Sequence, residues 1–208
     1  MQERFPGSLT LEEYVSGKCW RGATLEQCPI CGPECRPHVL GTYLRTVPID
    51  SYIARFRCPR TGTTIGLLPD CLASRHPGTL DGIEQGAARA EEAENIEQAA
   101  EDARPGEDEN APDLPSAMRW VRRRVSIMAA TLITVITLMP DAFVNCEPTV
   151  RAVRAHLGTQ SALVSLREIA AEHLHEIARP LGLNPAPNGD RGGRRGKPQD
   201  MGPDPPPG

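Results

Sequence analysis

Seven cysteines carry the clearest chemical signal in this chain, at positions 19, 28, 31, 35, 58, 71 and 146. Cys28-Pro-Ile-Cys31-Gly32 is the sharpest local motif. A C-x-x-C-G turn lets two thiolates converge on one metal, and the glycine permits the tight backbone. Cys58-Pro-Arg-Thr61 follows after about thirty residues, where a zinc ribbon carries a second C-x-x-C. Thr61 is a poor zinc ligand, so the layout is that of a ribbon with one ligand short. Cys35 or His38 could supply the fourth donor beside Cys28, Cys31 and Cys58. The set Cys28, Cys31, Cys35 and His38 could also close locally without Cys58. A third reading keeps the hairpin on apolar packing alone, without metal. Cys19, Cys71 and Cys146 read as buried thiols rather than ligands.

These residues need a scaffold to bring them together. Val39–Val47 is strand-like, Pro48–Ser51 can turn the chain, and Tyr52–Arg57 alternates. Tyr52, Ala54 and Phe56 fall on one face of that second run, and Ile53, Arg55 and Arg57 on the other. Residues 17–76 therefore form a small zinc-ribbon-like β-hairpin module behind a short lead-in, Met1–Gly17. Met1–Thr10 lacks the basic start and apolar run of a signal peptide, so the clustered cysteines read as reduced thiols or metal ligands in a cytoplasmic setting. Eight Lys/Arg face four acids over 17–76, a net of +4.

Downstream the pattern is helical, so the fold class is α+β. Leu80–Ala103 is Ala-rich and built of strong helix formers. Twelve acids face two arginines over 81–113, a net of −10 that alone makes the whole chain negative. Residues 79–103 form an acidic helical segment and 104–115, with three prolines, a linker. A helical domain spans 116–183. Ser116 is its expected N-cap and Pro140 a stop for its first helix. Thr149–Leu157 and Ser161–Ala178 supply two more helices, the latter with Leu163, Leu166, Ile169, Ala170, His173, Leu174 and Ile177 on one face. Residues 184–208 hold little to bury and read as a disordered tail.

A family resemblance rests on several of these strings. They are Cys28-Pro-Ile-Cys31-Gly32, Gly41–Arg45, Arg55-Phe-Arg-Cys58-Pro59 and Thr63–Leu72, with Arg119–Arg124 and Leu166–Ile169 beyond. Together they resemble a family of uncharacterised bacterial proteins found with mobile elements. The start of that family resembles the N-terminal module of insertion-sequence transposases. The resemblance covers roughly 19–183 and is strongest over 28–80. It departs from the family's pattern at Thr61. It implies a mobile-element context, whereas DNA as a partner follows from the charge pattern and a transposase or other basic protein from the acidic helix.

The charge pattern gives the nucleic-acid candidates. Arg45, Arg55, Arg57 and Arg60 lie on the hairpin, where Tyr43 and Tyr52 could stack or pack. Arg119, Arg122, Arg123 and Arg124 form a basic stripe beside Trp120, suited to phosphate contact. Helices near 80–93, 95–103 and 116–125 could form a helix-turn-helix. The acidity of the first two and the long loop before the third favour a plain helical bundle instead. The adaptor reading uses residues 84–102 as an acidic helix that engages a basic protein.

Val125–Met139 is uncharged, but fifteen residues of helix span about 22 Å, short of the roughly 30 Å hydrocarbon layer. A buried helix is the expected role, rather than the anchor of a membrane-tethered regulator. His173-Leu-His175-Glu176 lacks the second histidine of a zincin, since position 179 is Arg, and His173 reads as a packed core residue. No nucleotide loop, nucleophile elbow or zincin motif occurs, and the acids lie on a helix and linker rather than on a mixed sheet. The chain therefore reads as a non-catalytic protein without a small-molecule substrate.

Overall fold

The computed structural model describes residues 1–7, 9–48, 50–104 and 113–183. The expected tail over 184–208 lies wholly outside the described residues, and the linker over 104–115 largely so. The fold is α+β, with one four-stranded sheet and six α-helices among the described residues.

The strands are β1 (Gln2–Phe5), β2 (His38–Arg45), β3 (Ser51–Arg57) and β4 (Thr64–Pro69), in sheet order β1-β4-β3-β2. The expected hairpin is β2–β3, paired antiparallel from His38↔Arg57 to Arg45↔Ser51. The sequence reading missed its extension. Strand β4 adds antiparallel to β3, and the lead-in contributes β1 parallel to β4. Four residues are too few for alternation to show. Long-range pairing holds β1 instead: Arg4 donates to both carboxylate oxygens of Asp70 at 2.8–3.0 Å. Helix α1 (Leu11–Ser16) follows, opened by a capping box between Thr10 and Glu13.

Side chains alternate across the sheet, so each face has its own core. Ala54, Phe56, Ile65 and Leu67 pack on one face with Cys28, Cys35 and Cys58. Phe5, Trp20 and Leu25 cover them from the N-terminal segment. On the opposite face Ile53 and Leu68 join Leu80, Ile83, Met128, Leu132, Leu163 and Leu166 from the helices. Each such fully buried aliphatic side chain contributes about 1.5–3 kcal/mol.

The helices are α2 (Leu80–Glu92), α3 (Ile96–Asp102), α4 (Leu114–Leu138), α5 (Val150–Leu157) and α6 (Ala162–Ile169). Asn95 caps α3 through Gln98 N, which explains the break in the Ala-rich run. Helix α4 begins two residues before Ser116, because the Asp113 carboxylate accepts from Ser116 N. It runs on to Leu138 and buries Met128, Thr131, Leu132 and Val135, while Ile133 faces outward. Thr131, Thr134 and Thr137 each donate to the carbonyl four residues back, which satisfies their hydroxyls within the helix. No helix among the described residues is long and apolar enough to cross a membrane.

The helix expected over Ser161–Ala178 stops at Ile169 and continues as a 3-10 turn, Ala171–His173. The cause is Arg167, fully buried on α6. Its guanidinium donates to the carbonyls of Pro69, Asp70, Leu72, Pro180 and Leu181 at 2.6–3.3 Å. The chain must turn back beneath α6 to deliver the last two. Gly182 fits that reversal because a Cβ there would stand 1.7 Å from the Ile177 carbonyl oxygen. His173 is consequently half-exposed beside Glu176 at 3.2 Å, not a core residue.

The acidic segment is only partly a solvated face. Glu84 is fully buried. It accepts from Arg154 Nε at 2.7 Å and from the Ala162 and Leu163 N–H groups that open α6. Glu91, seven residues on, accepts from the Val150 and Arg151 N–H groups that open α5. Carboxylates at helix N-termini satisfy free donors and oppose the dipole. Helix α2 thus organises α5 and α6, and two of the acids assigned to a basic partner hold the fold together.

Candidate metal centre

The Cys28 turn is folded by its own backbone. Gly32 N donates to Cys28 O at 2.9 Å, Cys35 N to Gly32 O at 3.2 Å, and Cys28 N to Cys35 O at 3.0 Å. Gly32 sits at φ +81°, where a side chain is strained. This closed loop points three thiols to one side. Cys58 stands just past the end of β3, where Gly62 N donates to Cys58 O at 2.9 Å. The sheet therefore delivers the fourth thiol.

Cys28, Cys31, Cys35 and Cys58 bring their sulfurs within 4.8 Å of one another and could hold a metal ion. The Cys31–Cys58 and Cys35–Cys58 sulfur separations are 3.6 and 3.7 Å. A zinc–sulfur bond of about 2.3 Å implies about 3.8 Å between sulfurs of a regular tetrahedron. The observed spacing is compatible with zinc. Four protein sulfurs leave no open coordination position, which is the pattern of a structural rather than a catalytic ion.

Of the ligand alternatives, the fold brings together Cys28, Cys31, Cys35 and Cys58. The group crosses between loop and sheet, and Cys35 fills the place that Thr61 leaves. His38 is not part of the group. It is the first residue of β2, exposed and paired with Arg57. Strand geometry carries it away from the loop that holds Cys35. Thr61 instead serves the centre through its backbone N–H, 3.4 Å from Cys58 Sγ.

The electrostatics are unequal across the four thiols. Cys58 is brought down to about 6, chiefly by the Thr61 side chain, against the cost of burial and with help from the Thr61 and Arg60 N–H groups. Because the Thr61 hydroxyl already donates to Thr63 Oγ1 at 3.0 Å, the N–H is the firmer donor to sulfur. Burial pushes Cys31 up, and Cys35 up to about 12. Cys71, buried in the helical core, is pushed up to about 11 by the same cause. Cys19 and Cys146 are half-buried and, with Cys71, lie outside the group.

The arginines expected on one surface are divided. Arg45 is a correction: its guanidinium donates to Ala73 O at 2.9 Å and His76 O at 2.7 Å, so it holds a loop. Arg55 is half-buried with its guanidinium carbon 6.0 Å from the Tyr43 ring centre. Arg57 and Arg60 are exposed beside Cys58. On α4, Arg119, Arg122 and Arg123 are exposed, while Arg124 stacks over Trp120 at 3.4 Å. Tyr52 packs against Trp20 at 5.1 Å between ring centres. The His173–Glu176 string contributes to no ligand group among the described residues.

No protein-family model, curated protein or solved structure matches this chain.

Proposed function

We propose that this is a zinc-stabilised, non-catalytic nucleic-acid-binding protein, acting in the cytoplasm as an accessory to a mobile-element transposase. One observation carries the reading. The convergence of Cys35 and Cys58 gathers Arg36, Arg57 and Arg60 at one end of the sheet. All three are exposed, and none forms an ion pair among the described residues. Unpaired guanidiniums on a rigid, metal-clamped support suit phosphate contact. The closed sulfur set supports a folding role for the metal. The transposase-like strings described above support the accessory role. The adaptor alternative is less well supported, because Glu84 and Glu91 are engaged internally.

Anisotropy titration of a labelled duplex should show steeply salt-dependent binding. Arg57→Ala and Arg60→Ala should each lower the slope of log K against log salt by about 0.9. Absence of any binding at about 50 mM salt would overturn the proposal.

A further inference from the structure

We propose that a second phosphate-binding face lies at the opposite end of the sheet, built from Arg75 and Arg179, and that one nucleic acid bridges both ends. This inference rests on the nucleic-acid reading above and extends its footprint.

The pairing of β2 with β3 fixes the geometry. His38↔Arg57 marks the knuckle end and Arg45↔Ser51 the other. Six steps of about 3.3 Å separate them, or about 20 Å. That distance corresponds to roughly six phosphates along one strand at 3.4 Å of axis each.

At the far end, Arg45 pins the loop carrying Arg75 by donating to Ala73 O and His76 O on either side of it. Ser74 N donates to Pro180 O at 2.8 Å, and this stitch brings Arg75 and Arg179 to neighbouring positions from opposite ends of the chain. Both are exposed. Arg75 holds φ +52°, an uncommon conformation for a residue with a side chain. His76, beside Arg75, is 4% exposed, with its Nδ1 2.9 Å from the Pro77 carbonyl oxygen. A cleft of about 340 Å³ lined by Tyr43, Arg45, Arg75 and His76 opens here. No carboxylate pairs with Arg75 or Arg179 among the described residues.

Two neighbouring cations without a counter-ion repel one another, and a polyanion relieves that repulsion. Arg75 and Arg179 are isolated in sequence, so no charge run announces them.

The test is anisotropy of a labelled duplex with the full chain, between about 50 and 200 mM salt. Three proteins are compared: wild type, Arg75→Gln/Arg179→Gln, and Arg75→Lys/Arg179→Lys. The expected result is a salt slope about 1.8 lower for the glutamine pair and unchanged for the lysine pair, since two phosphate contacts are lost or kept. Wild-type binding with an unaltered glutamine-pair slope and thermal midpoint overturns this inference and leaves the parent proposal standing. Failure of wild type to bind defeats the parent proposal. Binding of phosphatidylserine vesicles, lost in the glutamine pair while duplex binding is not, assigns the face to membranes and also overturns it.

Discussion

The sulfurs of Cys35 and Cys58 lie 3.7 Å apart although 23 residues separate them in the chain. A loop that folds on itself meets a strand end there, as it does at Cys31 and Cys58, 3.6 Å apart. A metal held by the four sulfurs would tie the N-terminal segment to the sheet. Structural zinc contributes folding energy directly, so its removal by a chelator should lower the unfolding temperature of the module.

Metal uptake should depend on pH in a stated direction. Zinc requires thiolates. Near neutral pH the metal-free group carries its thiolate on Cys58, held down to about 6, while burial keeps Cys31 and Cys35 protonated. Zinc must expel at least those two protons. Apparent affinity should therefore rise by roughly 100-fold per pH unit between about pH 6 and 8. Chelator competition across that window measures it, and a flat profile would contradict the assignment.

Glu84 is the second point of leverage. Its carboxylate answers Arg154 and two N–H groups in a fully buried place. Glu84→Ala leaves a guanidinium and a helix start without their partner. Urea unfolding should show a loss of about 3–5 kcal/mol. A loss under about 1 kcal/mol would mean the site rearranges around the gap.

Arg167 should behave similarly for a different reason. Five carbonyls depend on one guanidinium, and no shorter or single-headed cation can reach them all. Arg167→Lys should cost roughly 2–4 kcal/mol by urea unfolding, despite keeping the charge. Wild-type stability in this variant would show the carbonyl cluster to be dispensable.

Arg45 and Arg57 should separate in their effects. Arg45→Gln loses two hydrogen bonds to a buried loop and should lower stability by about 1–3 kcal/mol. Arg57→Ala, at an exposed guanidinium, should stay within about 0.5 kcal/mol of wild type. Equal effects in urea unfolding would return Arg45 to the surface.

What the sequence shows and what it hides divides along physical lines. Alternation in Tyr52–Arg57 and helical spacing in α4 and α5 are local, and the structure carries both. Gly158 ends α5 at φ +62°, as a C-terminal glycine should. The C-x-x-C-G turn is local too, and both of its cysteines lie in the sulfur group. The choice between Cys35 and His38 was not local. It depends on where β2 begins, because the first strand residue is directed by pairing with Arg57 rather than by the preceding turn. Arg45 looked like a surface cation because its carbonyl partners lie about thirty residues on. Glu84 looked like one acid among many because its partners lie 70 to 79 residues on. Strand β1 was invisible for the same reason, since its pairing depends on β4.

The most direct test of the metal assignment is zinc content per chain in the purified protein, compared with Cys35→Ser, Cys58→Ser and His38→Ala. One zinc in wild type and His38→Ala, with loss in both cysteine variants, is the predicted result. Retention of zinc in Cys58→Ser together with loss in His38→Ala would contradict it.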